Sequence, residues 1–163
     1  MSETAQLTLR PEAQAKATDA ELARARKILG SILAAKGRRT LENTLAPYDA
    51  IMMAISEVGL QGQVLFNAHT DTAVRDAANK AYLAADSLQT ELSLNRGLYE
   101  AFAALNVSRE DGETRYAVSK ILRDFSRAGV DKDEATRAKI KALNDEIAEI
   151  GSTFDRIINE DMR

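Results

Sequence analysis

The feature that most constrains the fold is a regular spacing of large apolar residues near the end of the chain, between residues 133 and 161. This spacing places them on one side of an α-helix and averages 3.5 residues, as in helices that pack along a partner helix. Charged residues fill many of the intervening positions. The sequence therefore predicts a long amphipathic helix whose apolar side is buried against helices from the preceding part of the chain. The six residues, at intervals of three, four, three, four and three, are Ile140, Leu143, Ile147, Ile150, Phe154 and Ile157.

A first helix is predicted to begin between Pro11 and Asp19 and to end at Gly37. The segment 18–21, Thr-Asp-Ala-Glu, fits a capping box, in which the first side chain bonds to an open backbone N–H and the glutamate reaches back. Residues 1–17 are accordingly expected to be a loose N-terminal segment. Gly37 is a suitable end because glycine adopts a left-handed backbone conformation at little cost.

Proline and glycine delimit the second predicted helix. Pro47 is accommodated best in a first turn, where its missing N–H is not needed. Thr40, Asn43 and Thr44 are the candidate N-caps, and Thr44 is favoured because it places Pro47 in the first turn. A helix that begins earlier would be kinked at the proline. Gly59 and Gly62 are expected to interrupt the helix after about Val58.

The body of this second helix is apolar on more than one face. Such a helix is either buried in the core or in contact with something outside the chain, and burial is the favoured interpretation. For the other interpretation, the candidate residues of an interface with a missing domain are Met52, Met53, Ile55, Leu65 and Phe66.

The third predicted helix is rich in alanine, and small side chains allow neighbouring helices to approach closely. Thr70 or Asp71 is expected to cap it, and a shorter helix is predicted to follow Asn95. The predicted buried side of the alanine-rich helix consists of Val74, Ala78, Ala81, Ala85, Leu88 and Leu92.

The last two helices are predicted to be antiparallel neighbours because the connection between them is short. Gly129 occupies the left-handed position that ends a helix, and Val130 supplies the hydrophobic contact that often follows. Asp131 or Asp133 is expected to cap the final helix. The inward side chains of the penultimate helix are predicted to be Tyr116, Ile121, Leu122 and Phe125.

No segment shows the alternating period of a β-strand. The 163 residues suffice for one ordinary domain, so we predict a single all-α domain over residues 1–163, a bundle of about six helices that are mostly antiparallel neighbours. The net charge of −3 argues against nucleic acid as a partner, and the apolar runs are too short to span a membrane. The polar N-terminus does not resemble a signal peptide and the chain has no cysteine, so a cytoplasmic location is expected.

His69 is the only histidine in the sequence. A zinc site normally needs several histidine, cysteine or carboxylate ligands, so His69 is interpreted as a capping or packing residue. The sequence contains no H-E-x-x-H motif, no phosphate-binding loop and no nucleophile elbow. We therefore assign no catalytic and no metal-binding residue, and we expect no cofactor in this chain.

Five short segments occur in a recognisable order. The first three are Leu-Glu-Asn-Thr-Leu at 41–45, Val-Arg-Asp-Ala at 74–77 and Leu-Tyr-Glu-Ala at 98–101. The other two lie at 121–130 and in the final helix, from 143 to 154. Together they resemble the F-E-N-T-L, V-R-x-A, L-Y-x-A, L-L-x-D-F-x-R-x-G and L-x-x-E-I-x-x-L-x-x-x-F segments of the thimet oligopeptidase family of zinc peptidases.

The resemblance covers roughly residues 25 to 161 and departs from the family at Ile157, where asparagine is common. It implies that the parent protein is several times longer and holds zinc through H-E-x-x-H and a distant glutamate in its C-terminal part. None of these ligands can be assigned to a residue of this chain. By the same resemblance, the chain is the N-terminal helical region that forms one wall of a channel for short peptides.

The partners implied are the missing C-terminal catalytic domain and, in the full-length parent, short peptides. The chain would then be a truncation or a remnant without activity of its own, and its uncovered surface could lead to self-association. Two alternatives remain open at this point. The chain could be a free-standing helical interaction module without enzymatic activity, or a helical bundle that binds a small ligand.

Overall fold

The structure, a computed structural model, describes residues 10–161, apart from the side chains of residues 159 and 160. No strand occurs among the described residues, so the predicted all-α bundle of about six helices is confirmed. A π-helical turn (Leu41–Leu45) leads directly into the second helix. The six α-helices of the described part are α1 (Pro11–Ala34), α2 (Ala46–Ala68), α3 (Thr72–Ser93), α4 (Arg96–Ala103), α5 (Gly112–Ala128) and α6 (Glu134–Asp161).

Helix α1 begins at Pro11, the early limit of the predicted range, because proline suits the first turn and the alanine-rich residues after it are good helix formers. Residues 11–17 are therefore helical and not loose, and the predicted capping box at 18–21 lies inside the helix. Residues 1–9 of the expected loose segment lie outside the described residues. The helix ends at Ala34, three residues before Gly37, which has the expected left-handed conformation (φ 82°).

The cap that precedes α2 is Thr40, not Thr44. The Asn43 N–H donates to the Thr40 hydroxyl (3.3 Å), and the Thr40 N–H donates to the Asn43 side-chain oxygen (3.0 Å). Pro47 has no N–H to complete an ordinary helical turn, and the chain widens into the π-helical turn just before it. The helical segment therefore begins before the proline, and its first turn is a π-helical turn.

Helix α2 continues through Gly59 and Gly62, so the prediction that these glycines interrupt it is wrong. Gly62 lies where α2 and α3 cross. A Cβ atom placed on it would lie 2.7 Å from the carbonyl oxygen of Ala78 and 2.9 Å from the backbone nitrogen of Tyr82. The two backbones are therefore in direct contact, and the absence of a side chain at Gly62 is what permits it.

Helix α3 is the central element of the bundle, since α1, α2, α5 and α6 all contact it. Asp71 caps it by accepting a hydrogen bond from the Ala73 N–H (2.8 Å). Its apolar side is buried as predicted, and every side chain of the set is at most 4% exposed: Val74, Ala78, Ala81, Ala85, Leu88 and Leu92.

An aromatic cluster closes one end of the bundle. Phe102 of α4 and Phe125 of α5 lie 6.0 Å apart between ring centroids, and Tyr48 of α2 packs edge-on against Phe102. Phe125 faces inward as predicted, whereas Tyr116 is exposed. Val118 is buried instead, because two residues along a helix correspond to about 200° of rotation and the two side chains point in nearly opposite directions.

The turn between α5 and α6 has the predicted geometry. Gly129 is left-handed (φ 95°), the Val130 N–H donates to the Phe125 carbonyl (3.2 Å), and Val130 is buried. Asp133 caps α6 by accepting from the Thr136 N–H (2.8 Å). The predicted packing of α5 and α6 as neighbours is wrong, because in the described part of the chain α6 lies antiparallel along α3.

No helix in the described range combines the length and the apolar character that crossing a membrane requires.

The contact at Gly62 makes a first prediction. Gly62→Ala should lower the free energy of unfolding by about 1–3 kcal/mol, because the added methyl group meets backbone atoms that cannot move aside cheaply. Gly59→Ala, one turn earlier in α2, meets only the Ala85 methyl group at 3.8 Å. It should be neutral or stabilise by up to about 1 kcal/mol through helix propensity. Urea unfolding midpoints measure both, and equal midpoints would show that the backbones do not touch.

The turn at Gly129 makes a second prediction. Gly129→Val should destabilise by about 1–2 kcal/mol or more, because a β-branched residue fits a positive φ badly. A Cβ atom there would also lie 2.9 Å from Ile140 Cδ1. The control is Gly112→Val in the first turn of α5, where a Cβ atom meets nothing within 4 Å. If the control is destabilised as much as Gly129→Val in urea unfolding, the left-handed turn is not the cause.

Candidate functional site

The apolar side of α6, predicted to be the organising core of the fold, is exposed over most of its length. Ile140 is half-buried, but the other five residues are 57–66% exposed. The prediction that this side is buried by the rest of the chain is therefore wrong. We call the five exposed residues the α6 stripe: Leu143, Ile147, Ile150, Phe154 and Ile157.

Polar contacts, and not the stripe, hold α6 against α3. Each contact joins residues far apart in sequence, and together they extend over most of the length of both helices. The three hydrogen bonds are from Arg137 Nη1 to the Leu94 carbonyl (2.9 Å), from Lys141 Nζ to Ser87 Oγ (2.8 Å) and from Ser152 Oγ to Asn79 Oδ1 (2.7 Å).

These contacts determine how α6 is rotated about its axis. Lys141, Asp145 and Ser152 follow one another at intervals of four and seven residues, so they share one side of the helix. At 100° per residue, that side lies roughly 180° away from the middle of the stripe, on the opposite side of the helix. Docking the polar side on α3 consequently turns the stripe toward solvent.

Two aspartates at this junction have opposite pKa shifts. Lys141 donates a hydrogen bond to Asp145 (2.7 Å) and holds the pKa of that carboxyl below its ordinary value. Partial burial raises the pKa of Asp86, on α3, above its ordinary value. The negative charge of Asp145 adds to this rise and Lys141 opposes it.

A cleft of about 440 Å³ lies between α2 and α6, with α3 as its floor. Apolar walls are contributed by Phe66 from α2 and Ile147 from α6, and the floor carries Tyr82 and Asp86. Asp155 stands at the α6 side. Most of the other lining side chains are polar, so the cleft is a mainly polar groove with an acidic group on its floor. Ile147 of the stripe forms part of its α6 wall.

The structure separates the five interface residues predicted on α2. Met53 is 73% exposed, whereas Met52 and Leu65 are half-buried. Ile55 and Phe66 are buried against other residues of this chain. Of the predicted set, Met53 is the residue that faces fully outward.

Two further residues of α2 are exposed: Leu60, which sequence reasoning missed, and Val64, which belongs to the apolar stretch that the sequence offered as a candidate surface. Leu60 and Val64 follow Met53 at intervals of seven and four residues, so all three lie on one outward side of the helix. The informative signal was Gly62, which marks the side that packs on α3. Leu60 is two residues from Gly62 and therefore points nearly the opposite way.

His69 lies just after the end of α2, and its surroundings are those of a helix boundary. Its Nδ1 accepts a hydrogen bond from the Asp71 N–H (3.0 Å), and Arg75 donates to its carbonyl oxygen (3.1 Å). The interpretation of His69 as a capping residue agrees with these bonds. Within residues 10–161, no group of three or more histidine, cysteine, aspartate or glutamate side chains is placed to hold a metal ion.

The opposite pKa shifts make a prediction about pH. Since folding raises the pKa of Asp86, its charge destabilises the folded chain at neutral pH, and this effect fades as the pH falls through the raised pKa. Asp86→Asn should therefore increase the free energy of unfolding at neutral pH, with a smaller increase at acid pH.

Asp145→Asn is expected to change the free energy of unfolding in the opposite direction to Asp86→Asn. The lowered pKa of Asp145 contributes stability that is present above its ordinary value of about 3.9 and is lost as the pH falls through the lower folded pKa. The variant should therefore be less stable than the natural chain at neutral pH, and the two should converge in acid. Urea unfolding of both variants across this pH range measures the effects, and shifts of the same sign would contradict the assignment.

Comparison with known proteins supports the resemblance identified from the motifs, although no family model matches the chain. A mitochondrial intermediate peptidase of Laccaria bicolor is 28% identical over 150 residues, which are 88% of this chain and 19% of the relative. A thimet-like oligopeptidase of Dictyostelium discoideum is 28% identical over 136 residues, 77% of this chain and 20% of the relative. Saccharolysin of Saccharomyces cerevisiae is 24% identical over 127 residues, 74% of this chain and 18% of the relative.

The chain thus spans about a fifth of the length of these curated relatives. The similarity extends over most of the chain in each case, so it includes the helical core and does not rest on one motif. The predicted resemblance is confirmed: this chain is similar, over most of its length, to a segment of oligopeptidases of the thimet oligopeptidase type.

Proposed function

We propose that this chain is the helical channel-wall region of a zinc-dependent oligopeptidase that hydrolyses short peptides. The observation that carries the proposal is the similarity, over most of the chain, to proteins named as oligopeptidases and intermediate peptidases. The five motifs support it further because they follow the family's order from the π-helical turn before α2 to α6.

In this proposal the zinc is bound outside the chain. The described residues offer no group of three potential ligands, so no metal-bound step is assigned to them. The H-E-x-x-H region of the longer protein would supply the metal, which polarises a peptide carbonyl and activates water. The role left to this chain is to shape the route by which a substrate reaches that region.

The packing of the bundle suits such a role. A wall that admits short peptides and excludes folded proteins must keep its shape, and the direct backbone contact of α2 and α3 at Gly62 provides a rigid pair of helices. Single apolar residues on a protein surface are ordinary, but five in register along one helix mark a surface that other protein covers. The α6 stripe is therefore consistent with a segment that belongs to a larger molecule.

The same stripe keeps the free-standing interaction module as a second candidate. A module of this kind would bind a separate protein through an exposed helical face and would have no peptidase activity. The two candidates differ in where the partner is encoded. In the peptidase it lies in the same polypeptide, and in the module it lies in another.

The experiment that tests the proposed function uses the full-length protein encoded around this segment. Its coding sequence is expected to include H-E-x-x-H after residue 163, and the purified protein should cleave a short quenched fluorescent peptide. A chelator should abolish cleavage, zinc should restore it, and a folded protein substrate should remain intact. The 163-residue chain alone is the control and should be inactive. A full-length protein that lacks the motif, or that carries it and cleaves no short peptide, would overturn the proposal.

A further inference from the structure

We propose that the α6 stripe is the docking surface for an amphipathic helix that belongs to the remainder of the same polypeptide. The identity of this partner rests on the proposed function, because it requires that the chain continues into a longer peptidase.

The exposure of the stripe is a consequence of specific bonds. The hydrogen bonds of Lys141 and Ser152 to α3 fix the rotation of α6, and a turn that buried the stripe would break both of them. Lys141 now donates hydrogen bonds to both Ser87 and Asp145, and such a turn would carry Lys141 and Asp145 away from Ser87. Burying the stripe against α3 would therefore cover Ser87 and Asn79 with apolar side chains and remove the partners of their hydrogen bonds, which is unfavourable.

The shape of the stripe indicates that its partner is a helix. The intervals of four, three, four and three residues from Leu143 to Ile157 keep the side chains in one nearly straight row, the arrangement that fits the side chains of a facing helix. Gly151 lies at the edge of the row, and a Cβ atom on it would meet nothing within 4 Å. A facing backbone can approach closely at this point.

The size of the stripe argues against a second copy of this chain as the partner. Stable interfaces between separate proteins use roughly 20–30 residues a side, and the stripe has five. Acidic residues also outnumber basic ones along α6, so two copies aligned in parallel would bring like charges together. A helix in the same polypeptide does not need so large an area, because the chain linkage keeps it at high effective concentration.

In the relatives, most of the sequence lies outside the matched segment and could contain such a helix. The matched segment is 19% of the Laccaria bicolor peptidase and 18% of saccharolysin, so about four-fifths of each relative lies outside it. The partner is therefore identified by its chemistry as a helix with an apolar seam, held in the part of the longer protein that this chain does not include.

The test measures whether the stripe is covered, and it needs no peptidase activity. The sequence has no cysteine, so a single introduced thiol is unique within this segment. Ile150→Cys places a thiol in the stripe, and Glu149→Cys places one on the neighbouring exposed residue as a matched control. Each variant is made in the 163-residue chain and in the full-length protein, with any cysteine elsewhere in that protein removed. The reaction rate with a thiol-specific fluorophore is then measured.

In the 163-residue chain both thiols should react rapidly and at similar rates. In the full-length protein the Ile150→Cys thiol should react at least about tenfold more slowly, whereas the Glu149→Cys thiol should change little. Similar rapid reaction of both thiols in the full-length protein would overturn the inference. So would protection of the Ile150→Cys thiol in the 163-residue chain that rises with protein concentration, since the partner would then be a second copy.

A second pair of variants separates docking from ordinary stability. Ile147→Gln should leave the unfolding midpoint of the 163-residue chain nearly unchanged, because the side chain is already mostly in water there. In the full-length protein the same change should lower the melting temperature, and Glu149→Gln should not. A full-length protein that cleaves peptides but does not protect the stripe would contradict this inference alone. Protection without peptide cleavage would contradict the proposed function alone.

Discussion

The close approach of α2 and α3 at Gly62 is the contact on which the rest of the bundle depends. No side chain separates the two backbones there, and the alanines of α3 extend the contact along the pair. Because α2 occupies one side of α3 so tightly, α1 and α6 pack on the sides that remain. The bundle is thus arranged around the alanine-rich α3, and not around α6, whose apolar spacing is the most regular in the sequence.

The position of α6 shows that a helix can dock through its polar side when that side finds partners. Lys141 and Ser152 make hydrogen bonds to α3, and the ammonium group of Lys141 also donates a hydrogen bond to Asp145. Buried polar groups are tolerated when they are bonded in this way. The consequence is a structure with two uncovered apolar surfaces, the α6 stripe and the outward side of α2 around Met53 and Leu60.

These uncovered surfaces connect the fold to the proposed peptidase. The similarity to oligopeptidases covers most of this chain but about a fifth of the relatives, so the chemistry of peptide cleavage is proposed to lie elsewhere in a longer protein. Within that proposal, the buried face of α3 serves the stability of this segment. The exposed face of α6 attaches this segment to the remainder of the longer polypeptide. Helix α6 then packs against α3 on one side and against that remainder on the other.

The sequence by itself determined the local features of this protein. The left-handed turn at Gly129 and the buried side of α3 follow from the local sequence, and both were predicted. Asp71 and Asp133 were each one of two candidates predicted for their caps. The order of the five motifs also predicted the similarity to oligopeptidases. Only the tertiary structure decided which apolar sides are buried. Periodicity distinguishes the two sides of a helix but does not say what packs against them, so the stripe of α6 and Met53 on α2 could not be told from core. That outcome depended on contacts between residues distant in sequence, at Gly62 and at Ser152, where close backbone approach and hydrogen bonding settled how each helix is turned.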